Sequence, residues 1–246
     1  MAEDSGVSAV ERALSLLDAF NELDYSLTLA DLARRTGLYK STILRLAESL
    51  QRMGYLKRLA DGSFQVGAAP LRLGAIYQRQ CRTSEHVPEV LREIVQATEE
   101  CASFYIRDGN HAVCLHRVDS ARMIRDAIRE GDRLPIDKGA APQILLAFGE
   151  RKSGKRYDRI RAEGFCASFG EYDPEIAALS VPVLAVNRVL VGALTLSGPR
   201  YRYENVDTSS MLQALFVGAR KLTGIFGGDP QWIGGPEAGQ LSAVRA

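Results

Sequence analysis

Apolar side chains recur at helical spacing from Val10 through Ala13, Leu14, Leu17 and Phe20, which predicts an amphipathic helix near the start of the chain. Ser8 stands ahead of it as a candidate cap, and Glu11, three residues on, would complete a capping box. After a polar break from Asn21 to Ser26, Thr28 is a second cap candidate, with Asp31 favourably placed near the helix start. This second helix must stop at Gly37, because glycine tolerates the left-handed backbone that ends helices. A third helix is expected from about Lys40 to Met53, with Ile43, Leu44, Leu46, Ala47 and Leu50 facing inward and Gly54 ending it. Two short β-prone runs, Tyr55 to Leu59 and Ser63 to Val66, flank Asp61-Gly62 and read as a hairpin. Residues 70–80 read as a connecting helix.

Past residue 84 the pattern changes. A helix is expected from about Val87 to Glu100, with Pro88 near its first turn, where a missing N–H costs little. Cys101 to Arg107 and His111 to Val118 flank Asp108-Gly109-Asn110, a strong hairpin signal. Pro135 closes an irregular segment, and a helix beginning around Pro142 covers about 140–149. Val181 to Val186 and Val189 to Ser197 form a further hairpin around Asn187-Arg188, and a last helix runs from Asn205 to about Phe226. Hairpins mixed with helices point to an α+β domain with an antiparallel sheet. The expected organisation is a winged helix-turn-helix domain over 1–68, a linker helix over 69–86, the α+β domain over 87–226 and a flexible Gly- and Pro-rich tail over 227–246.

Within LTLADLARRTGLYKSTILRLAESL the spacing is that of a helix-turn-helix: Ala33 where two helices cross, Gly37 in the turn, Ile43 packing back between them. Such a motif lays its second helix in the DNA major groove, N-terminal residues at the base edges. Those residues here are Tyr39, Lys40, Ser41, Thr42 and Arg45, the arginine suited to reading a guanine. Lys57 and Arg58 at the hairpin tip are placed for an adjacent phosphate or minor groove, and Arg34 adds to the same basic region. Charge agrees. The whole chain carries a formal net charge of only +1, yet residues 31–60 hold seven cations against Asp31 and Glu48. A confined basic patch on a near-neutral protein is the footprint of a phosphate-binding face.

The scattered cysteines (Cys81, Cys101, Cys114, Cys166) make no C-x-x-C pair, so neither a zinc ribbon nor a redox motif is indicated. The acidic, polar amino terminus lacks the regions of a secretory signal, and no apolar run approaches the roughly 18–20 residues needed to span a bilayer. No membrane partner and a cytoplasmic location are therefore expected. Cys114 and His116, two apart on a strand, would share a face while His111 points away; two ligands are too few for a closed metal site, so no metal or cofactor is expected. The competing reading is an enzyme with an accessory helix-turn-helix domain. Against it, the chain contains no G-x-S-x-G, H-E-x-x-H or Gly-x4-Gly-Lys-Ser/Thr, although Glu171 and Asp173 could pair as acid and base.

The residues also carry a resemblance. SAVERALSLLDAF, LTLADLARRTGLYKSTILRLAESLQRMGYL and DGSFQVG resemble the amino-terminal domain of the IclR family of bacterial transcriptional regulators. The likeness continues through FYIRDG, GDRLPID, ILLAF, GFCASFGE and LTLSGP, and so covers about residues 8–225. It implies homodimers, often assembled into tetramers, that bind palindromic double-stranded DNA, and a GAF-like domain that holds a small organic effector.

Candidates for an effector pocket are legible from the residues themselves: Thr195 and Ser197 on one face of a strand, Ser168 and Glu171 in the Gly-rich stretch 164–171, and Gly139-Ala140-Ala141 before a helix whose free N–H groups suit a carboxylate. For each, a solvated turn or a satisfied core hydroxyl is an equal alternative. The resemblance places the effector against Ala140, Ala141, Ser168, Ala178, Thr195 and Ser197. The chain departs from the family's usual pattern at Asp137, where His is common, at Pro142-Gln143, where Gly-Lys is common, and at Ala178, where a polar or sulfur side chain is common. These changes suggest a less polar pocket and a partly apolar or aromatic carboxylate as effector.

Overall fold

A computed structural model describes residues 6–21, 23–80, 83–204 and 208–234. The chain divides into two compact units, Met1–Cys81 and Arg82–Ala246.

In the first unit three helices, α1 (Ser8–Asp18), α2 (Leu29–Thr36) and α3 (Lys40–Arg52), precede a hairpin of β1 (Leu56–Arg58) and β2 (Phe64–Val66), and α4 (Ala69–Gln80) follows. Leu16, Leu27, Leu32, Ile43, Ala47, Leu50, Leu56 and Phe64 form its core. The hairpin is tied to the segment before α2, where Leu27 and Phe64 exchange two backbone hydrogen bonds of 2.8 Å. Thr28 Oγ1 accepts the Asp31 N–H at 3.1 Å while Asp31 Oδ2 accepts the Thr28 N–H at 3.2 Å, a reciprocal capping box that starts α2. Gly37, at φ +70°, ends α2 in the left-handed region, as its place in the sequence requires.

Two expectations about the helices fail in this unit. Ser8 is the first helical residue rather than the cap: Val7 takes that position and no side chain caps α1. Leu44 is 41 % exposed rather than inward, because it follows Ile43 by one residue, 100° around the helix from the buried stripe.

The second unit is built on a six-stranded antiparallel sheet of β3 (Cys101–Asp108), β4 (His111–Val118), β5 (Arg133–Pro135), β6 (Cys166–Phe169), β7 (Ile176–Leu184) and β8 (Leu190–Pro199). Their order across the sheet is β5-β4-β3-β8-β7-β6. Helix α5 (Thr83–Thr98) and the last long helix, α9 (Ser209–Ile225), pack on one face with Val90, Leu91, Phe104, Leu179, Leu194, Leu196, Leu212 and Leu215 in the core between. The other face carries α6 (Ala140–Ile144), which widens into a π turn over Leu145–Gly149, with Tyr105, Cys114, Cys166 and Ala193 beneath it. Helices α7 (Lys155–Glu163) and α8 (Tyr201–Glu204) complete the unit.

Here too the structure corrects details. Helix α5 begins at Thr83, so Pro88 lies inside it instead of at its first turn. Cys114 and His116 do not share a face, because Leu115 is the extra residue of a bulge opposite Phe104 and Tyr105. The bulge puts Cys114 in the core under α6 and turns His116 towards α5, where its Nε2 lies 3.2 Å from Thr83 Oγ1. Of the tail expected to be flexible from Gly227 onward, residues 227–234 instead pack: Ile233 is 2 % exposed, its carbonyl accepts from Arg220 Nε at 3.0 Å, and Arg188 stacks on Trp232. The helix start expected at Asn205 and the tail from 235 lie outside the described residues.

Candidate functional site

In the first unit the turn at Gly37 presents the start of α3. Tyr39 is 85 % exposed, Lys40, Ser41 and Arg45 are exposed, and Thr42 is half-buried. Ile43 and Ala47 hold the opposite side of the helix in the core at 0 % exposure, so burial of one stripe fixes which residues face outward. No side chain caps α3, leaving its first N–H groups open to an external acceptor. Lys57 and Arg58 are exposed on strand β1 rather than at the tip, which is the turn around Gly62; Arg58 lies over the Phe64 ring, 5.7 Å from its centroid. Arg34 points outward from α2 and pairs with Asp31 at 2.7 Å. Arg35, in contrast, is held to Asp24 and to the Ala19 carbonyl, a structural brace within the same basic run.

In the second unit the pairing register sets small and polar residues side by side beneath α6. Ser103, Thr195, Ser180 and Cys166 form one row across β3, β8, β7 and β6, and Cys101, Ser197, Ala178 and Ser168 form the next. A cavity opens over these rows, lined by Ala140, Ala141, Ser168, Ala178, Thr195 and Ser197 together with Tyr105, Asp126, Ile128, Leu134, Gly139, Pro142, Tyr172, Asp173, Ile176 and Ala177. Its volume is about 50 Å³, room for roughly three to five waters. Small side chains in the rows leave the space, and α6 roofs it.

Glu171 is not in the cavity wall. Its carboxylate accepts the Gly139 N–H at 3.2 Å and pairs with Arg156 at 2.7 Å, which fastens the turn before α6. Asp126, unnoticed in the sequence, is in the wall. It is delivered by the irregular segment after β4: Arg202 donates to the Ile124 carbonyl at 3.1 Å and forms a bidentate pair with buried Glu100 at 2.6 and 2.8 Å. Ser120 Oγ donates to the Glu99 carbonyl at 2.5 Å, anchoring the other end. Asp126 then meets Ser197 and Arg117. No local pattern marks such a residue, because Ser197 lies 71 residues away and Arg117 is reached only across an irregular segment.

Burial pushes the Cys114 and Cys166 thiols up to about 12, so neither is a thiolate at neutral pH. The Tyr105 phenol, buried in the wall, is held neutral for the same reason. Among the described residues no group of three or more His, Cys, Asp or Glu is placed to hold a metal ion, and no helix is long and apolar enough to cross a membrane.

Comparison with known proteins follows the same division. The model of the IclR helix-turn-helix domain matches residues 9–60, and that of the bacterial transcriptional regulator IclR C-terminal domain matches 79–157 and 154–223. The HTH-type transcriptional regulator BhcR of Paracoccus denitrificans (strain Pd 1222) is 26 % identical over 96 % of this chain and 93 % of its own length. An IclR transcriptional regulator from Silicibacter sp. TM1040 superposes with a TM-score of 0.75 at 23 % identity, covering 92 % of this chain and 99 % of that one. An IclR homologue from Microbacterium hydrocarbonoxydans, solved in complex with 4-hydroxybenzoate, superposes with a TM-score of 0.69 at 20 % identity, over 88 % and 98 % of the two chains. The chain belongs to the IclR family of bacterial transcriptional regulators, with a helix-turn-helix DNA-binding domain and an IclR effector domain.

Proposed function

We propose that this chain binds palindromic double-stranded DNA as a homodimer, with α3 in the major groove, and that a small, partly apolar carboxylate in the pocket beneath α6 alters that binding. The observation that carries it is the exposed, uncapped start of α3, where Tyr39, Lys40, Ser41, Thr42 and Arg45 stand clear of the core. Lys57, Arg58 and Arg34 supply phosphate contacts that position the domain, and Arg45 supplies base readout. Pairing of two chains is supported by apolar side chains left exposed on α1 and α4: Val10 at 54 %, Leu14 at 51 %, Leu71 at 78 % and Tyr77 at 46 %. Two such dimers would make the tetramer. Binding, rather than turnover, is the activity, and cytoplasmic work on DNA accords with it.

For the effector, support comes from a mostly apolar wall with a few directed polar groups. The Ala140 and Ala141 N–H groups at the start of α6 are the donors for a carboxylate, Pro142 having no N–H to give. The aromatic acid bound by the Microbacterium hydrocarbonoxydans protein is a natural probe. Effector action requires only that ligand favour one of two arrangements of the paired DNA-binding domains.

Duplex binding titrated across salt concentrations tests the DNA reading. Log affinity is expected to fall by about 0.9 per phosphate contact per log unit of salt. Flat salt dependence would indicate a module for protein contact instead.

A further inference from the structure

Two aspartates, Asp126 and Asp173, line the pocket, and among the described residues no lysine, arginine or histidine does. Asp126 and Arg117 are buried together, their side chains 3 % and 4 % exposed, with Arg117 Nη2 2.8 Å from Asp126 Oδ1. The guanidinium stays behind the wall, its Nε on Asp119 at 2.7 Å and its Nη1 on Ser103 Oγ at 3.1 Å. It neutralises Asp126 without facing the cavity.

Ser197 gives its one hydroxyl proton to Asp126 Oδ2 at 2.7 Å. Ser180 Oγ lies 3.2 Å from the Leu194 carbonyl and 2.8 Å from Thr195 Oγ1, a contact in which either hydroxyl can donate. Asp126 Oδ1 takes the Ile128 N–H at 3.1 Å beside the arginine, while Oδ2 keeps an acceptor position beyond Ser197. Carboxylate oxygens have two acceptor sites each, and a hydroxyl that has spent its proton offers only lone pairs. Asp126 and Ser197 therefore present acceptors to the cavity.

We propose that the β8 side of the pocket selects a ligand group that donates hydrogen bonds, a hydroxyl or a protonated amine, and excludes a carboxylate there. The assignment rests on the effector reading above and sharpens it: the ligand is a hydroxy- or amino-substituted acid, its carboxylate at the α6 end and its donor on Asp126. A second acid group at that end would meet the lone pairs of Asp126 and Ser197; a bare methyl or ring edge would leave those acceptors unpaired.

Calorimetric titration of the full chain with 4-hydroxybenzoate, benzoate and terephthalate, and with lactate and propionate as an aliphatic pair, tests it. The expected result is that whichever hydroxy acid fits binds roughly 10- to 100-fold more tightly than its partner lacking the hydroxyl, with terephthalate weakest. Asp126→Asn, which can turn an N–H towards the ligand, should erase most of that preference and raise terephthalate affinity. The double change Arg117→Met with Asp126→Met, which strands no charge, should do the same. Acids that bind the unaltered chain with no preference for a hydroxyl overturn the assignment alone, even where a variant fails to fold. Failure of every acid to bind overturns the effector reading and this assignment together.

Discussion

His116 shows how one inserted residue redirects a side chain. The bulge at Leu115 turns its ring onto Thr83, and burial there holds the imidazole below its ordinary value of 6.5, with Glu130 pulling weakly the other way. A depressed histidine refuses a proton that the unfolded chain accepts. Its contribution to stability is complete above pH 6.5 and is lost as pH falls from there through the folded value. Thermal melts between pH 7.5 and 5 are expected to show that loss, and His116→Gln should flatten this part of the profile; equal slopes in both proteins would contradict it. At this scale the sequence was a partial guide. Thr28, Gly37 and Gly109 act locally and are legible, whereas alternation alone put Cys114 and His116 on one face because a period of two cannot register a bulge. Asp126 was illegible for a related reason: its partners Arg117 and Ser197 become neighbours only when the sheet closes.

Between elements, a tight constraint lies where β8 passes β3. A Cβ at Gly192 would come within 2.4 Å of Phe104 Cζ and 2.6 Å of the Tyr105 carbonyl oxygen. One neighbour is a ring fixed in the core and the other is backbone, so neither yields cheaply. Gly192→Ala is expected to destabilise the second unit by about 1–3 kcal/mol, read from urea denaturation; an unchanged midpoint would show the strands free to separate. The Glu100–Arg202 pair that holds the segment carrying Asp126 is a second such joint. Arg202→Ala leaves a buried carboxylate without its bidentate partner, and the expected loss is about 3–5 kcal/mol together with weaker ligand binding. Wild-type stability and binding in that variant would remove the joint from the account. The long hairpins and helices were readable because periodicity and Gly or Asn turns mark them. Strands β5 and β6 and helix α7 are too short or too polar to stand out. Residues 227–234 read as a loop in composition, and Ile233 is held by packing that composition does not encode.

At the scale of the molecule, charge and chemistry are divided between two units. The first concentrates cations around an exposed helix start in a chain whose total charge is +1. The second encloses a small cavity under α6 and spends its buried charges on internal pairs. The division was legible in the sequence because the basic run, the Ala33–Gly37–Ile43 spacing and the hairpin coincide within about forty residues. Interior polar geometry was not, since it depends on register between distant strands. The most direct test of the central claim is selection of bound duplexes from a random library by the wild-type chain and by Arg45→Ala. The wild-type chain should enrich a two-fold symmetric sequence, and the variant should lose roughly 1–3 kcal/mol of preference at one base pair in each half. No enrichment by the wild-type chain, or the same preferences in both, would contradict the placement of α3 in the groove.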